Sequence, residues 1–447
     1  MRRLAYEKLL RWKNRPDRKP LIMQGVRQCG KTWILKNFGE NEFEDCAYFN
    51  FENITGLPEI FEKDLDVNRI VIELSALRRK AITAEKTLLI LDEIQICPRA
   101  ITALKYFAED MPKLHVVAAG SLLGIALSQM GGNTSFPVGK VSTLTLYPLN
   151  FHEYLLANGE ELLCRHLEEK ISDFSDPVSS SFKERLETLL RHYYITGGMP
   201  AVVSSWIENH DVEEADFLLD NILSDYEKDF VKYAPKNEFP KLMLIWNGIA
   251  VQLAKENKKF VFAHVKSGLR ARDLEDALYW LISAGLIHKV EKVEKPHIPL
   301  SAYADLTFFK IYLCDVGLLR KKSGFTAQAV IDRTEKTSDI RGILAENFVL
   351  TELIADFGAA PYYWRSEGRS EVDFVIQSGM DVIPIEVKSG VNTRSRSLAE
   401  YRKRYGPASA MRLSLNSMSM HKDDYGQIYE IPLTFMWAAE KIFKPEI

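Results

Sequence analysis

One eight-residue stretch restricts the fold and chemistry of this chain more than any other. Residues 25–32 read Gly-Val-Arg-Gln-Cys-Gly-Lys-Thr, after the apolar run at 21–23 and before a helix-like segment at 33–38. A strand, a glycine-rich turn and a helix in that order are the context of the phosphate-binding motif G-x-x-x-x-G-K-[ST]. Glycines let backbone N–H groups close around phosphate oxygens, and the N-terminus of the helix adds a positive pole.

The motif predicts a role for each of its residues. Lys31 is expected to reach the β- and γ-phosphates of a nucleotide, and the Thr32 hydroxyl is expected to ligate Mg²⁺. The other loop residues would surround the phosphates: Gly25, Arg27, Gln28, Cys29 and Gly30. The alternative, an ordinary glycine-rich turn, is weakened by a second motif further along the chain.

A pair of acids follows a buried strand about sixty residues later. Residues 87–91 are almost entirely apolar, as in a parallel strand that is buried on both faces, and they end on Asp92 and Glu93. Asp92 would hold Mg²⁺, and Glu93 would act as general base toward the attacking water. Further strands are predicted at 47–51, 114–119 and 141–146. Together they predict a doubly wound parallel sheet with its ligand at the carboxyl ends of the strands.

Composition limits the remaining function classes. The chain has 447 residues, enough for two to four domains, and its 46% hydrophobic and 27% charged content is that of a globular protein. A net charge of -3 means that binding to nucleic acid would depend on local patches. Five scattered cysteines read as reduced thiols. Without a signal-peptide core or an apolar run of about 18 residues, we expect a cytoplasmic protein without a membrane partner.

Three motifs together resemble a prokaryotic family of AAA-type ATPases whose members usually carry a C-terminal domain of uncertain function. They are the loop at 25–32, Leu-Asp-Glu-Ile-Gln at 91–95, and Leu-Tyr-Pro-Leu-Asn-Phe-His-Glu-Tyr-Leu at 146–155. The resemblance implies ATP as the nucleotide and ATP hydrolysis as the activity. It also nominates Ser121, at the end of a strand, as a sensor of the γ-phosphate, although capping the next helix is an equally good interpretation.

One position departs from that family. The family commonly has Gly-Arg ahead of the strand at 141–146, where this chain has Gly139 and Lys140. If the family's arginine touches the γ-phosphate, Lys140 keeps the charge but loses the planar bidentate fork. AAA-type rings take such an arginine from a neighbouring subunit, so the resemblance is compatible with an oligomer and leaves the oligomeric state open.

A second constellation lies near the C-terminus and resembles the PD-(D/E)XK nuclease fold. Asp373 is followed by Glu386 and Lys388 in the spacing Asp-x₁₂-Glu-x-Lys across two predicted strands, and residues two apart in a strand share a face. Asp373 and Glu386 would bind Mg²⁺ or Mn²⁺, which activates a water, and Lys388 would position or deprotonate that water. Glu346, on a predicted helix, fits the extra acid of many such nucleases.

Two basic regions could contact DNA. Residues 260–293 resemble a winged helix, and its second helix would present Lys266, Arg270 and Arg272 to a DNA groove. The alternative is a packing module with a solvated charged face. A predicted turn and helix near residue 400 also carry basic side chains, which would either contact nucleic-acid backbone or only solubilise a surface helix: Arg394, Arg396, Arg402, Lys403 and Arg404.

The sequence therefore predicts an α/β protein of three domains. Residues 1–165 form an AAA-type P-loop ATPase domain, 166–335 a helical region with a winged-helix-like module, and 336–447 a restriction-endonuclease-like domain. The leading hypothesis is that the ATP state controls a DNA-binding, metal-dependent nuclease-like domain. The alternatives are a nucleotide-dependent switch that binds DNA or a protein without cutting, and a C-terminal interaction platform.

Overall fold

The computed structural model describes residues 1–121, 123–128, 135–171, 178–253, 259–260, 271–332, 334–368, 370–391 and 395–438. Their packing divides the chain into two compact units. The N-terminal unit contains residues 2–148 and 283–286, and the C-terminal unit contains residues 149–282 and the chain from 287 onward. Both predicted domain boundaries, after 165 and after 335, fall inside the C-terminal unit, so the three-domain division stays a prediction.

A five-stranded parallel sheet forms the centre of the N-terminal unit. Its order is β2-β3-β4-β1-β5. The strands are β1 (Leu21–Gln24), β2 (Asp45–Asn50), β3 (Thr87–Asp92), β4 (His115–Gly120) and β5 (Ser142–Thr145). Every residue of β3 and β4 is buried. The apolar runs in the sequence predict this burial for the central strands of a parallel sheet. The predicted parallel-sheet α/β architecture of this part of the chain is confirmed.

Helices cover this sheet. They are α1 (Ala5–Lys13), α2 (Lys31–Glu42), α3 (Leu57–Lys63), α4 (Val67–Arg78), α5 (Pro98–Asp110) and α6 (Leu123–Ser128), with a 3₁₀ turn at Ile94–Ile96. The helices α3 and α4 are separate because Asp66 caps the start of α4, its side chain accepting a hydrogen bond from the Asn68 amide. This N-cap satisfies a backbone donor that the first turn of a helix leaves open.

The C-terminal unit has a mixed sheet of eight strands in the order β12-β13-β11-β10-β9-β8-β6-β7. The strands are β6 (Ile287–Val293), β7 (Ala304–Leu313), β8 (Tyr362–Arg365), β9 (Glu371–Ser378), β10 (Asp381–Val387), β11 (Ser409–Ser414), β12 (Ser419–Asp423) and β13 (Gly426–Pro432). β6 pairs with β8 in parallel, through Lys292 opposite Tyr363 and Val293 opposite Trp364. The strand predicted as a wing therefore extends the C-terminal sheet, across the predicted boundary at 335/336.

The helices of the C-terminal unit include several long amphipathic segments. They are α7 (Phe151–Ala157), α8 (Glu161–Ile171), α9 (Ser180–Thr196), α10 (Pro200–Asn209), α11 (Val212–Tyr233), α12 (Phe239–Leu253), α13 (Ala271–Ser283), α14 (Val316–Lys322), α15 (Ala327–Ile331), α16 (Ser338–Phe357) and α17 (Arg396–Tyr405). Short 3₁₀ turns lie at Leu300–Tyr303, Glu335–Thr337 and Leu433–Ala438. Among the residues that the structure describes, no helix has the length and apolar character needed to cross a bilayer.

Of the residues in the winged-helix segment that are predicted to contact DNA, Arg272 lies in the described part of the chain. Lys266 and Arg270 lie outside the described residues, as does Arg394. Arg272 lies on α13 with three quarters of its side chain exposed, and its Nε is 3.8 Å from a carboxylate oxygen of Asp273. This arrangement tests neither the winged-helix prediction nor its alternative.

Candidate nucleotide site

The loop at 25–32 follows β1 directly and leads into α2. Its curvature comes from three residues with positive φ: Gly25 at 152°, Gln28 at 65° and Gly30 at 97°. A Cβ on Gly25 would lie 2.1 Å from the carbonyl oxygen of Leu146, so only glycine fits there. The Cys29 thiol, buried beneath the loop, contacts the same oxygen at 3.4 Å. The segment that directly follows β5 thus packs against the loop and restrains its backbone.

Lys31 is the first residue of α2, and its side chain extends back into the loop. Its side chain is only 6% exposed, and Nζ donates hydrogen bonds to the carbonyls of Gly25 at 2.9 Å and Val26 at 2.8 Å. A bound phosphate would compete with these carbonyls for the same ammonium group. Arg27 is half-buried and Gln28 is exposed at the outer turn of the loop. The Lys31 ammonium group therefore lies against the loop backbone, and its contact with a nucleotide stays a prediction.

The loop and the acidic strand meet at one contact. Thr32 Oγ1 donates to Asp92 Oδ2 over 2.7 Å, and the Tyr48 hydroxyl donates to the same oxygen over 2.9 Å. The other Asp92 oxygen accepts from the Glu93 amide at 3.0 Å. Mg²⁺ commonly takes one or two carboxylates with hydroxyl, water and phosphate oxygens. This pair of oxygens, on Thr32 and Asp92, fits that ion.

Glu93 lies in a turn of left-handed backbone with φ 52°, immediately after β3. Burial and the neighbouring Asp92 charge raise its pKa, while a hydrogen bond from Gln95 acts in the opposite direction. A carboxylate of raised pKa is a better proton acceptor than an exposed one. The raised pKa of Glu93 is compatible with a general base, and that role stays a prediction.

Ser121 follows the end of β4 and is 7% exposed. In the sheet β4 lies between β1 and β3, and its last residue, Gly120, is opposite Gln24. A Cβ on Gly120 would lie 2.2 Å from Oε1 of Gln95, so a larger residue there would displace the Gln95 side chain. Ser121 thus follows the strand that lies between the strands leading to the loop and to the acids, and both its sensor role and its capping role stay predictions.

Three residues of this site escaped the sequence prediction. Arg3 donates to the Cys29 carbonyl at 2.9 Å and to the Tyr147 carbonyl at 2.6 Å, which joins the loop to the chain after β5. Tyr48 and Gln95 contact the two acids directly. Gln95 is part of the Leu-Asp-Glu-Ile-Gln string and could have been found, whereas no local pattern marks Arg3.

Lys140 lies at the other end of the sheet. β5 runs parallel to β1 with Ser142 opposite Leu21 and Thr145 opposite Gln24, so the loop is at the carboxyl end of β5. Lys140 precedes the amino end, roughly 15 Å away at the usual rise per strand residue. Its ammonium group pairs with Glu109 at 2.9 Å. Within one chain, Lys140 is not placed to contact a nucleotide in the loop.

The predicted residues of the C-terminal site lie on neighbouring elements. Asp373 on β9 accepts a hydrogen bond from the Val387 amide at 2.8 Å, Glu386 on β10 pairs with Lys388 at 2.6 Å, and Glu346 is buried on α16. Nevertheless, in the described part of the chain no group of three or more histidine, cysteine, aspartate or glutamate side chains is arranged to hold a metal ion. Metal binding at these residues is not shown.

The basic residues of α17 differ in their surroundings. Arg396, Lys403 and Arg404 are exposed. Arg402 is 4% exposed and is bonded through both terminal nitrogens to Asp423. Arg402 therefore stabilises the unit internally, and only the other three are accessible for a phosphate backbone.

Three parts of the chain are similar to known protein families. Family models match three parts of the chain: an "AAA domain" over residues 17–155, a "Domain of unknown function (DUF8612)" over 187–329 and a "Domain of unknown function (DUF4143)" over 341–435. Each range lies inside one of the three predicted domains. The last match does not identify a nuclease. No curated protein matches the chain with significance.

Several solved structures are similar at low levels. A Walker-type ATPase of Pyrococcus abyssi has 13% identity and a TM-score of 0.45, over 72% of this chain and 95% of that one. The ORC2 protein of Aeropyrum pernix has 15% identity and a TM-score of 0.35, over 74% and 94%. DnaA from Aquifex aeolicus has 15% and 0.28, over 62% and 78%. These scores are too low to carry an argument about function.

The family match and the geometry of the loop lead to one conclusion. The AAA-domain model covers both the loop and the strand ending at Asp92, and the structure joins them through Thr32. Residues 17–155 are similar to the AAA domain and carry a P-loop on a parallel-sheet α/β fold.

Proposed function

We propose that the N-terminal unit binds ATP together with Mg²⁺ and hydrolyses it. The observation that carries the proposal is the 2.7 Å contact between Thr32 Oγ1 and Asp92 Oδ2. It brings the end of the phosphate loop and the acidic strand to one point, where both can serve the same ion. The preference for adenine rests on the AAA-domain match, since the loop itself recognises phosphates.

The residues divide the work of hydrolysis. Backbone N–H groups of the loop and the Lys31 ammonium bind the β- and γ-phosphates. Mg²⁺, when bound by Thr32 and Asp92, supplies charge neutralisation on phosphate oxygens. Glu93 accepts the proton of the attacking water, and Gln95 orients the Glu93 carboxylate through its hydrogen bond. Ser121 would contact the γ-phosphate as its sensor.

Phosphate release with purified protein tests this proposal. ATP with Mg²⁺ should be hydrolysed, and EDTA should stop the reaction. Lys31→Ala should lose both nucleotide binding and turnover, whereas Glu93→Gln should retain binding and lose about 10²- to 10⁴-fold in rate, the usual contribution of a general base. Lys86→Ala, which removes an exposed lysine paired with Glu44, is the control and should change neither. Undiminished hydrolysis by Lys31→Ala would refute the assignment.

For the C-terminal unit, we propose a switch whose state follows the nucleotide and which binds DNA or a protein partner. The exposed cations on α17, Arg396, Lys403 and Arg404, support contact with a phosphate backbone. A gel-shift titration at low and moderate salt, with and without ATP, tests this, because phosphate contacts weaken steeply with salt. A DNA affinity that changes neither with salt concentration nor with ATP would contradict the proposal.

The metal-dependent nuclease is the second candidate, supported by the placement of Asp373 and Glu386 on adjacent strands and of Lys388 directly after the second strand. Incubation with Mn²⁺ and single-stranded, duplex or branched DNA distinguishes it from the switch. Cleavage by the wild type that Asp373→Ala abolishes would establish the nuclease. Equally intact DNA with both proteins would leave the switch.

A further inference from the structure

One lysine is buried inside the C-terminal sheet. Lys310 lies in β7 within the run Phe309–Leu313, all of whose residues are buried, and Lys310 itself has no exposed surface. Burying an ammonium group is unfavourable unless opposite charges surround it. The position of Lys310 therefore requires an explanation in terms of its partners.

The acid that Lys310 contacts is Glu371, a neighbour of the predicted metal ligands. Nζ of Lys310 lies 2.5 Å from Oε1 of Glu371, on β9 two residues before Asp373 and thus on the same face. Burial lowers the pKa of Lys310, but the charges of Glu371, Glu346 and Asp373 outweigh this and raise the pKa above its ordinary value. Lys310 therefore carries its positive charge among these carboxylates. The ring of Tyr363 lies 4.8 Å from Nζ and adds a cation–π contact.

Other groups of the protein already contact one oxygen of each predicted metal ligand, although the second oxygen of Glu386, Oε2, is buried without a hydrogen-bond partner among the described residues. Two residues after Lys310, on the same face of β7, the Tyr312 hydroxyl donates to Oε2 of Glu346 at 3.2 Å. Asp373 accepts from the Val387 amide, and Glu386 pairs with Lys388. Each of the three predicted metal ligands thus has a partner within the chain.

The charges of this cluster nearly balance. Four carboxylates are present, on Glu346, Glu371, Asp373 and Glu386. Against them stand the ammonium groups of Lys310 and Lys388 and, at 3.9 Å from Glu371, the guanidinium of Arg365. A divalent cation is attracted by uncompensated carboxylates, and two of the three cations here are ion-paired at 2.6 Å or less. A metal would have to displace them.

We propose that Lys310 supplies to this acid cluster the positive charge that a divalent ion supplies in a metal-dependent site, so that the cluster does not bind Mg²⁺ or Mn²⁺. Lys310 then acts as a positioning residue that keeps β7, β9 and α16 together through their acids. The inference does not depend on the proposed ATPase, and it favours the switch over the metal-dependent nuclease, which would need the ion that this cluster does not bind.

Manganese binding tests the proposal directly. Electron paramagnetic resonance counts the Mn²⁺ that disappears from solution, with full-length protein and without nucleotide. The wild type is compared with Asp373→Asn, and the difference reports only the C-terminal cluster, whatever binds near Asp92. We expect no difference. Lys310→Met should gain about one Mn²⁺ per chain, and the added substitution Asp373→Asn should remove it. Lys310→Arg, which keeps the charge, should gain none.

Two results would overturn the proposal. One is a saturable Mn²⁺ site in the wild type that Asp373→Asn abolishes. The other is a folded Lys310→Met protein, verified by circular dichroism, that gains no site. If Lys310→Met does not fold, Lys310→Gln takes its place, and the wild-type comparison decides independently of either variant. Phosphate release measured on the same preparations separates this outcome from a failure of the nucleotide site.

Discussion

Glu93 shows how a single side chain depends on its immediate neighbours. Its carboxylate is influenced by burial, by Asp92 and by the amide of Gln95, and the first two raise its pKa while the last lowers it. Only the deprotonated carboxylate can accept a proton from water. The rate of hydrolysis should therefore rise with pH as Glu93 loses its proton.

Replacing Gln95 should shift that pH dependence in a defined direction. Gln95→Leu removes the hydrogen bond that stabilises the charged carboxylate, so the pKa of Glu93 rises further and the acid limb of the pH–rate profile moves to higher pH. At high pH the rate should recover toward that of the wild type. The measurement is kcat/KM for ATP across the acid and neutral range. A uniform loss of rate, with the limb unmoved, would mean that Gln95 has no influence on the base.

Lys310 allows a prediction about stability. Lys310→Met leaves Glu371 without its close cation in a largely buried place, and removing one partner of a buried ion pair costs about 3 kcal/mol. The measurement is the free energy of unfolding in urea. Lys86→Met, which breaks the exposed pair with Glu44, is the control and should cost less than about 1 kcal/mol. Equal losses in both variants would show that Lys310 is not energetically coupled to the acids.

The elements themselves were largely predictable, because local patterns determine them. The apolar runs before Gly25 and Asp92 became β1 and β3, and the phosphate motif led into α2 as expected. The pairing of β6 with β8 was not predictable, since strand partners distant in sequence leave no local signal. Lys310 and Tyr312 did leave one, polar residues two apart in an apolar strand, but the acids that they contact lie on other elements.

The segment before α1 offers a prediction at this scale. Arg3 connects the phosphate loop to the chain after β5 through the carbonyls of Cys29 and Tyr147. Arg3→Met should loosen the loop and leave two carbonyls without a charged donor, which costs about 1.4 kcal/mol or more and weakens ATP binding about tenfold. Equilibrium binding of a fluorescent ATP analogue measures this. Arg15→Met, which removes an exposed pair with Asp17, is the matched control. An unchanged affinity in Arg3→Met would exclude the positioning role.

For the whole molecule, the location of Lys140 determines how turnover can be assisted. The side chain lies beyond the amino end of β5 and pairs with Glu109, away from the loop. Lys140→Ala should therefore leave ATP affinity unchanged and, at protein concentrations where the chain is monomeric by light scattering, leave the hydrolysis rate within about twofold. A tenfold loss in the monomer would contradict this placement. A loss confined to concentrations at which copies associate would indicate that Lys140 serves a neighbouring copy.

The eight-stranded sheet has a consequence for any attempt to study the C-terminal region in isolation. The family match at 341–435 begins after β7, so a fragment of that length would omit β6 and β7. The edge of β8 that pairs with β6 would become an open template for other chains, with the tendency to aggregate that such edges have. The same fragment would lose both Lys310 and Tyr312, so that Glu371 would lose its close cation and Glu346 its hydroxyl donor. Metal binding measured on this fragment would then result from the truncation and would not describe the full-length protein.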